Sequence, residues 1–94
     1  METDSAVIEE VRRVRSAIES ALVESARSPL AMVLSAGEFG PAYVVKVLDV
    51  HPCLGKVAGR RLLREIGVGE RTRLMDLPSH SRNELAARCR CPGA

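Results

Sequence analysis

The sequence is poor in aromatic residues and contains no long apolar run. Its 94 residues include one Tyr, one Phe and no Trp. A core must therefore be built from aliphatic side chains and Met, which suits packed helices, and stacking on single-stranded nucleic acid is not expected. Every apolar stretch is far shorter than the roughly 18 residues of a membrane span, so no membrane partner is expected either.

Signals for export and for a cysteine framework are also missing. The N-terminus has neither a basic region nor an apolar run, so no signal peptide is predicted. Cys53, Cys89 and Cys91 are an odd number of cysteines, and reduced thiols in a cytoplasmic protein are expected. A zinc site that adds His51 or His80 is not predicted, because neither Cys-x-Cys nor His-x-Cys is the spacing of a common structural site.

No constellation of catalytic residues stands out, whether a Ser/His/Asp set or a pair of carboxylates. A chain of 94 residues buries one core and has little length left for a deep cleft. Apolar residues make up 46% and charged residues 28%, which is a globular composition. The prediction is a non-enzymatic protein with no cofactor, no metal and no small-molecule substrate.

Hydrophobic periodicity and helix-breaking residues predict an all-α, five-helix single domain. Residues 1–27 are expected to form one long amphipathic helix capped by Asp4 or Ser5. Its apolar stripe consists of Val7, Val11, Val14, Ile18 and Leu22. In the favoured interpretation this helix packs on the core. In the alternative it extends from the core as an arm toward DNA or a protein partner.

Residues 28–94 hold the other four predicted helices. Ser28 followed by Pro29 is typical of a helix start, and Gly37 is expected to end this short second helix. The third helix is apolar nearly all round between residues 43 and 50. Such a helix is expected in the middle of the bundle.

A helical hairpin follows. Pro52 is expected to end the third helix, because proline disfavours helical geometry in the preceding residue. A tight turn through Gly55 leads into a fourth helix, residues 56–66, which Gly67 closes. Gly59 is expected to allow close approach between helices. The residues expected to face the core are Leu62, Leu63 and Ile66.

The last helix is predicted to begin after Leu77-Pro78. Ser79 or Ser81 is expected to cap it, and Ser81 and Glu84 have the spacing of a capping box. The final residues, 91–94, are expected to be frayed and disordered.

Positive charge collects in the second half of the chain and on the fourth helix. Residues 1–50 carry five Lys or Arg against eight Asp or Glu, whereas residues 51–94 carry nine against four. A basic second half favours a polyanionic partner. Within it, Lys56, Arg60 and Arg64 recur every four residues and form one basic stripe that starts at the turn.

The turn at Gly55 is suited to binding a phosphate. The first N–H groups of the fourth helix have no intrahelical partner, and together with the helix dipole they attract an anion. Lys56 adds a full positive charge there. Arg61, by contrast, is expected to be structural and paired with Glu65. Turn and stripe together predict phosphate contacts with double-stranded DNA, strong salt dependence and little base readout.

The run from Val50 to Val68, VHPCLGKVAGRRLLREIGV, resembles the hairpin of the actinobacterial integration host factor family. The family pattern is leucine-proline-glycine-valine-glycine-lysine-valine, then a small residue and an aliphatic helix that ends at glycine-isoleucine. The layout of residues 7–88 also resembles that family, with an amphipathic first helix, a short helix, a buried helix, the hairpin, and an arginine-bearing loop before the last helix.

The resemblance implies a helix–two-turns–helix fold and a nucleoid-associated protein that bends or compacts duplex DNA with little sequence preference. The residues then expected to bind DNA are Gly55, Lys56, Arg60, Arg64, Arg71 and Arg73. Cys53 stands where the family has the first hairpin glycine, and Gly59 replaces an alanine. Thr72 and Met75 take positions of loop arginines. These departures predict a weaker or retuned affinity.

Two other interpretations stay open. Similar hairpins occur in helix-hairpin-helix domains of repair enzymes and in a small-subunit ribosomal protein, so RNA or the ribosome is one alternative partner. The other interpretation is a protein-interaction module, in which the first helix is the docking surface and the hairpin is scaffold.

Overall fold

A computed structural model describes the backbone of residues 2–89 and the side chains of residues 7–89. The domain is all-α, as predicted. Within residues 2–89 it forms five α-helices: α1 (Glu2–Ser25), α2 (Leu30–Ser35), α3 (Val44–Val50), α4 (Gly55–Ile66) and α5 (Ser79–Arg88). Two 3-10 turns, Gly37–Phe39 and Leu74–Asp76, precede α3 and α5. The disordered tail predicted for residues 91–94 lies outside the described residues.

The buried helix α3 is the centre of the core, as its composition predicts. It packs against α4 on one side and α1 on the other, while α2 packs against α5. Ser25, at the end of α1, donates its hydroxyl hydrogen to the Val47 carbonyl at 2.7 Å, and both residues are fully buried. This hydrogen bond fixes the end of α1 to α3. The buried residues of α3 are Val44, Val45, Val47 and Leu48.

Only the second half of α1 joins the core. Ala21 and Ser25 are fully buried, whereas Val7 and Val11 expose 56% and 50% of their surface. A helix of 24 residues is about 36 Å long at about 1.5 Å per residue, so the first half projects beyond the bundle. Among the described helices, none has the length and apolar character that crossing a membrane requires.

The helix starts differ from the predictions at the first two helices. α1 already begins at Glu2, so Asp4 and Ser5 lie within it. Ser28 does not cap α2, because its hydroxyl donates to Glu24 Oε1 at 2.6 Å. This hydrogen bond, together with one from Arg27, lowers the pKa of the Glu24 carboxyl.

The last two cap predictions are also wrong. α2 ends at Ser35, two residues before Gly37, which begins a 3-10 turn instead. α5 begins at Ser79, with Pro78 in the cap position and no side-chain capping bond. Ser81 is the third residue of α5, where it is buried and does not cap the helix.

Pro52 and Gly67 mark the hairpin as predicted. α3 ends at Val50, and His51, the residue before the proline, is extended with φ −74° and ψ 130°. α4 ends at Ile66, and Gly67 follows in the left-handed conformation with φ 77°. Local sequence therefore determines where each of the two helices of the hairpin ends.

The loop after α4 returns beside the start of α3. Val44 N–H donates to the Thr72 carbonyl at 2.8 Å, and Leu74 N–H donates to the Ala42 carbonyl at 2.9 Å. The sequence predicts no strand, and the structure forms one isolated antiparallel bridge at this place. The bridge fixes the basic loop to the hairpin.

Candidate functional site

The two helices of the hairpin approach closely because residue 59 is glycine. A Cβ atom on Gly59 would lie 2.8 Å from Leu48 Cβ, closer than such atoms approach in proteins. Leu62 and Leu63 are buried, and Ile66 is partly buried against the same core. The predictions of close approach at Gly59 and of these three inward-facing residues are confirmed.

The turn between the helices exposes backbone. Gly55 has a φ of +86°, which L side chains rarely adopt, and apart from the adjoining backbone no atom lies within 4 Å of where its Cβ would be. Leu54 occupies the cap position, and no side chain among residues 7–89 caps α4. The first amides of this helix are therefore accessible beside an open turn, which is the arrangement that binds anions.

An open groove runs along the outer face of α4. Its lining residues are Lys56, Val57, Arg60, Arg61 and Arg64. Three of these cations, Lys56, Arg61 and Arg64, are exposed, and within residues 7–89 none of them forms an ion pair. Their charge is therefore available to a negatively charged partner.

Arg60, the middle residue of the predicted stripe, already forms ion pairs within the protein. Its Nη1 lies 3.1 Å from Asp49 Oδ1, and its Nε lies 3.2 Å from Glu70 Oε1. The side chain is only 28% exposed. Two carboxylates thus neutralise this guanidinium and connect α3, α4 and the following loop, and a phosphate would have to compete with them.

Arg61 lines the groove, although the sequence predicts a structural role for it in an ion pair with Glu65. Glu65 forms its ion pair with Arg88 of α5, at 2.8 Å, so the predicted Arg61–Glu65 pair is wrong. The local four-residue spacing favoured Arg61 as the partner, whereas Arg88 is 23 residues away in sequence. With Glu65 engaged elsewhere, Arg61 joins the exposed cations of α4.

The two loop arginines do not share this groove. Arg71 is exposed, and Arg73 is partly buried with its guanidinium 5.4 Å from the centroid of the Tyr43 ring. Arg73 lines a different groove, along α1, with Val11 and Arg15 among its neighbours. The structure therefore brings Lys56, Arg60 and Arg64 together and places Arg73 apart from them.

A cluster of three side chains that could bind a metal ion includes one residue of the turn, Cys53. The ligand atoms of His51, Cys53 and Cys89 all lie within 4.8 Å of one another. His51 and Cys89 are buried. His51 Nδ1 accepts a hydrogen bond from Cys53 N–H at 3.1 Å and lies 3.8 Å from Cys89 Sγ. The sequence spacing alone gave no reason to expect these three residues together.

Comparisons of the chain with protein-family models, with curated proteins and with solved structures found no match. The resemblance to the actinobacterial integration host factor family therefore stays a prediction that rests on the residues of the hairpin. The geometry of the turn and groove is the basis for any functional conclusion.

Proposed function

We propose that this protein binds double-stranded DNA through phosphate contacts, with little sequence preference, as a cytoplasmic, nucleoid-associated protein. The observation that carries the proposal is the position of the basic groove of α4 directly beside the uncapped turn at Gly55. A phosphate at the turn would receive backbone N–H groups, and the next phosphates along the strand would meet the side chains of the groove.

The exposed cations of the groove supply the affinity in this proposal. Lys56 lies at the first turn of α4, while Arg61 and Arg64 lie one and two turns further along the helix. Each of them can neutralise one phosphate and release a condensed counterion from the duplex. Contacts of this kind depend on the backbone of DNA rather than on its bases, so unrelated duplexes should bind alike.

Arg60 has a positioning role in this interface. Its ion pair with Asp49 connects the two helices of the hairpin, and its contact with Glu70 brings a carboxylate to the groove. The Glu70 side chain is 60% exposed, so its negative charge also faces solvent where DNA would approach. Glu70 is therefore expected to weaken DNA binding.

The test is fluorescence anisotropy with two unrelated labelled duplexes at two salt concentrations. Lys56→Ala, Arg61→Ala and Arg64→Ala should each weaken binding to both duplexes similarly and lower the salt slope by about one unit. Lys46→Ala is the matched control, because Lys46 is exposed on α3 outside the groove. It should leave the affinity nearly unchanged.

In the same measurement, one further substitution should strengthen DNA binding rather than weaken it. Glu70→Gln removes a negative charge beside the groove and should tighten binding by up to about fivefold at low salt, since an exposed charge pair is worth at most about 1 kcal/mol. A wild-type affinity that ignores salt would contradict the proposal. Equal losses in Lys46→Ala and Lys56→Ala would contradict the assignment of the groove.

A protein-interaction module is the second candidate, and the projecting half of α1 favours it. Val7, Ile8 and Val11 are each at least half exposed and form an apolar face on this part of the helix. Absence of DNA binding at low salt would leave this function in place of the first. Competition between duplex DNA and a structured RNA distinguishes the third candidate, an RNA partner.

A further inference from the structure

We propose that His51, Cys53 and Cys89 are three ligands of a structural Zn²⁺ ion that joins the hairpin turn to the end of α5. Structural zinc sites in proteins are built from Cys thiolates and His imidazoles. The three residues come from two places, 36 residues apart in sequence, that the fold brings together. The zinc ion would have a structural role, and DNA binding by the α4 groove does not require it.

The spacing of the three ligand atoms suits a tetrahedral ion. Zn–S bonds of about 2.3 Å and Zn–N bonds of about 2.0–2.1 Å place a nitrogen and a sulfur about 3.6 Å apart, and two sulfurs about 3.8 Å apart. His51 Nδ1 lies 3.8 Å from Cys89 Sγ, and all three ligand atoms lie within 4.8 Å of one another. Side-chain shifts of about 1 Å or less would complete the geometry.

The tautomer of His51 supports the assignment. Its Nε2 lies 3.1 Å from the Ser28 carbonyl oxygen, which can only accept, so Nε2 carries the ring proton. The lone pair is then on Nδ1, the atom that lies 3.8 Å from Cys89 Sγ. Metal-binding histidines characteristically donate their other ring N–H to a carbonyl or carboxylate in this way. Zinc would replace the hydrogen bond that Nδ1 accepts from Cys53 N–H.

The charge balance suits a buried site. Each thiol loses its proton to solvent when it binds the ion, and His51 binds in its neutral form. Zn²⁺ with two thiolates is then neutral, which avoids the cost of an unpaired buried charge. The tetrahedron has a fourth position, and the sequence holds one further thiol, Cys91, two residues after Cys89.

The structural consequence follows from where the ligands lie. His51 directly follows α3, Cys53 is in the turn before α4, and Cys89 directly follows α5. A shared ion would fix the turn relative to α5, which packs mainly on α2. It would thereby stabilise the conformation of the Gly55 turn.

The test begins with the full-length, reduced protein under nitrogen. We expect it to bind one Zn²⁺ per chain, measured by elemental analysis after removal of loosely held metal. Co²⁺ in place of zinc should give a thiolate-to-metal charge-transfer band and intense visible bands of tetrahedral geometry. Zinc at a hundredfold excess over its Kd should raise Tm by at least about 10 °C. These measurements need no variant and so do not depend on a variant's ability to fold.

Variants then locate the site. Cys53→Ser and Cys89→Ser should each weaken zinc affinity by more than about 100-fold, beyond the loss caused by removing an outer hydrogen-bond partner. His80→Ala is the control, because His80 is exposed on α5 and should leave affinity unchanged.

Three results would overturn the proposal. The first is that the reduced wild type takes up no zinc at micromolar concentrations. The second is that Cys53→Ser and Cys89→Ser bind zinc as strongly as the wild type. The third is that mass spectrometry finds a Cys53–Cys89 disulfide in the native protein, which then binds no metal after reduction. None of these results bears on DNA binding, which is measured separately.

Discussion

Replacing Gly59 with alanine would place a methyl group in the interface between α3 and α4. The new Cβ would lie 2.8 Å from Leu48 Cβ and 3.6 Å from Leu48 Cδ1. The nearer atom, Leu48 Cβ, is the methylene carbon bonded directly to Cα, so rotating the Leu48 side chain cannot remove the clash. To reach an ordinary contact of 3.4 Å, the two helices must separate by about 0.6 Å.

Two effects of opposite sign determine the expected magnitude. Alanine favours a helix over glycine by about 1 kcal/mol, which stabilises the variant. Overpacking of a close interface costs about 1–3 kcal/mol, which destabilises it. The net loss of unfolding free energy for Gly59→Ala is therefore about 0–2 kcal/mol. Because α4 must move, the turn at Gly55 also shifts and DNA affinity should fall.

The measurement is urea denaturation followed by far-ultraviolet circular dichroism, with the midpoint and slope fitted together. Ala58→Gly is the matched control, because Ala58 is the exposed neighbour in the same helix. Its replacement measures only the difference in helix propensity between alanine and glycine. If Gly59→Ala raised stability by the full amount that Ala58→Gly lowers it, the close contact with Leu48 would be refuted.

Two further predictions concern serines at the end of α1 and just beyond it. Ser25→Ala removes the hydroxyl that donates to the buried Val47 carbonyl at 2.7 Å, and should lower the free energy of unfolding by about 1–3 kcal/mol. Ser20→Ala, on the exposed face of the same helix, is the control and should change this free energy little. Ser28→Ala removes the hydrogen bond that most lowers the pKa of Glu24, so NMR titration should show this pKa rise toward its ordinary value. Because the folded pKa is lowered, this contribution to stability is present above the ordinary value and is lost as pH falls through the folded pKa. The stability difference between wild type and Ser28→Ala should therefore shrink in acid, and a Glu24 pKa unchanged by the substitution would contradict the assignment.

Helix termini show where local sequence is sufficient. Pro52 and Gly67 end α3 and α4 as predicted, since each restricts or permits backbone conformations whatever surrounds it. Serine caps fail for the opposite reason. A hydroxyl group can form its hydrogen bond with any nearby partner. The Ser28 hydroxyl donates to the Glu24 carboxylate, one turn earlier in the chain, and does not bond a helix amide.

Ion pairs in the groove show where local spacing misleads. Arg60 belongs to the predicted stripe, but the folded hairpin brings it to Asp49, 11 residues earlier, and to Glu70 on the returning loop. Arg61 was assigned to Glu65, which the fold pairs with Arg88 instead. Surface pairs are weak, so long-range proximity easily outcompetes a four-residue spacing.

The turn at Gly55 combines both kinds of information. By itself the sequence determined that a glycine turn lies between two helices, that Lys56 follows it, and that α3 is buried, because backbone restrictions and apolar periodicity are local. Only the tertiary structure decided which cations stay unpaired around that turn, and that His51 and Cys53 meet Cys89 behind it. Those outcomes depend on distances between segments far apart in sequence, which packing of the whole bundle sets.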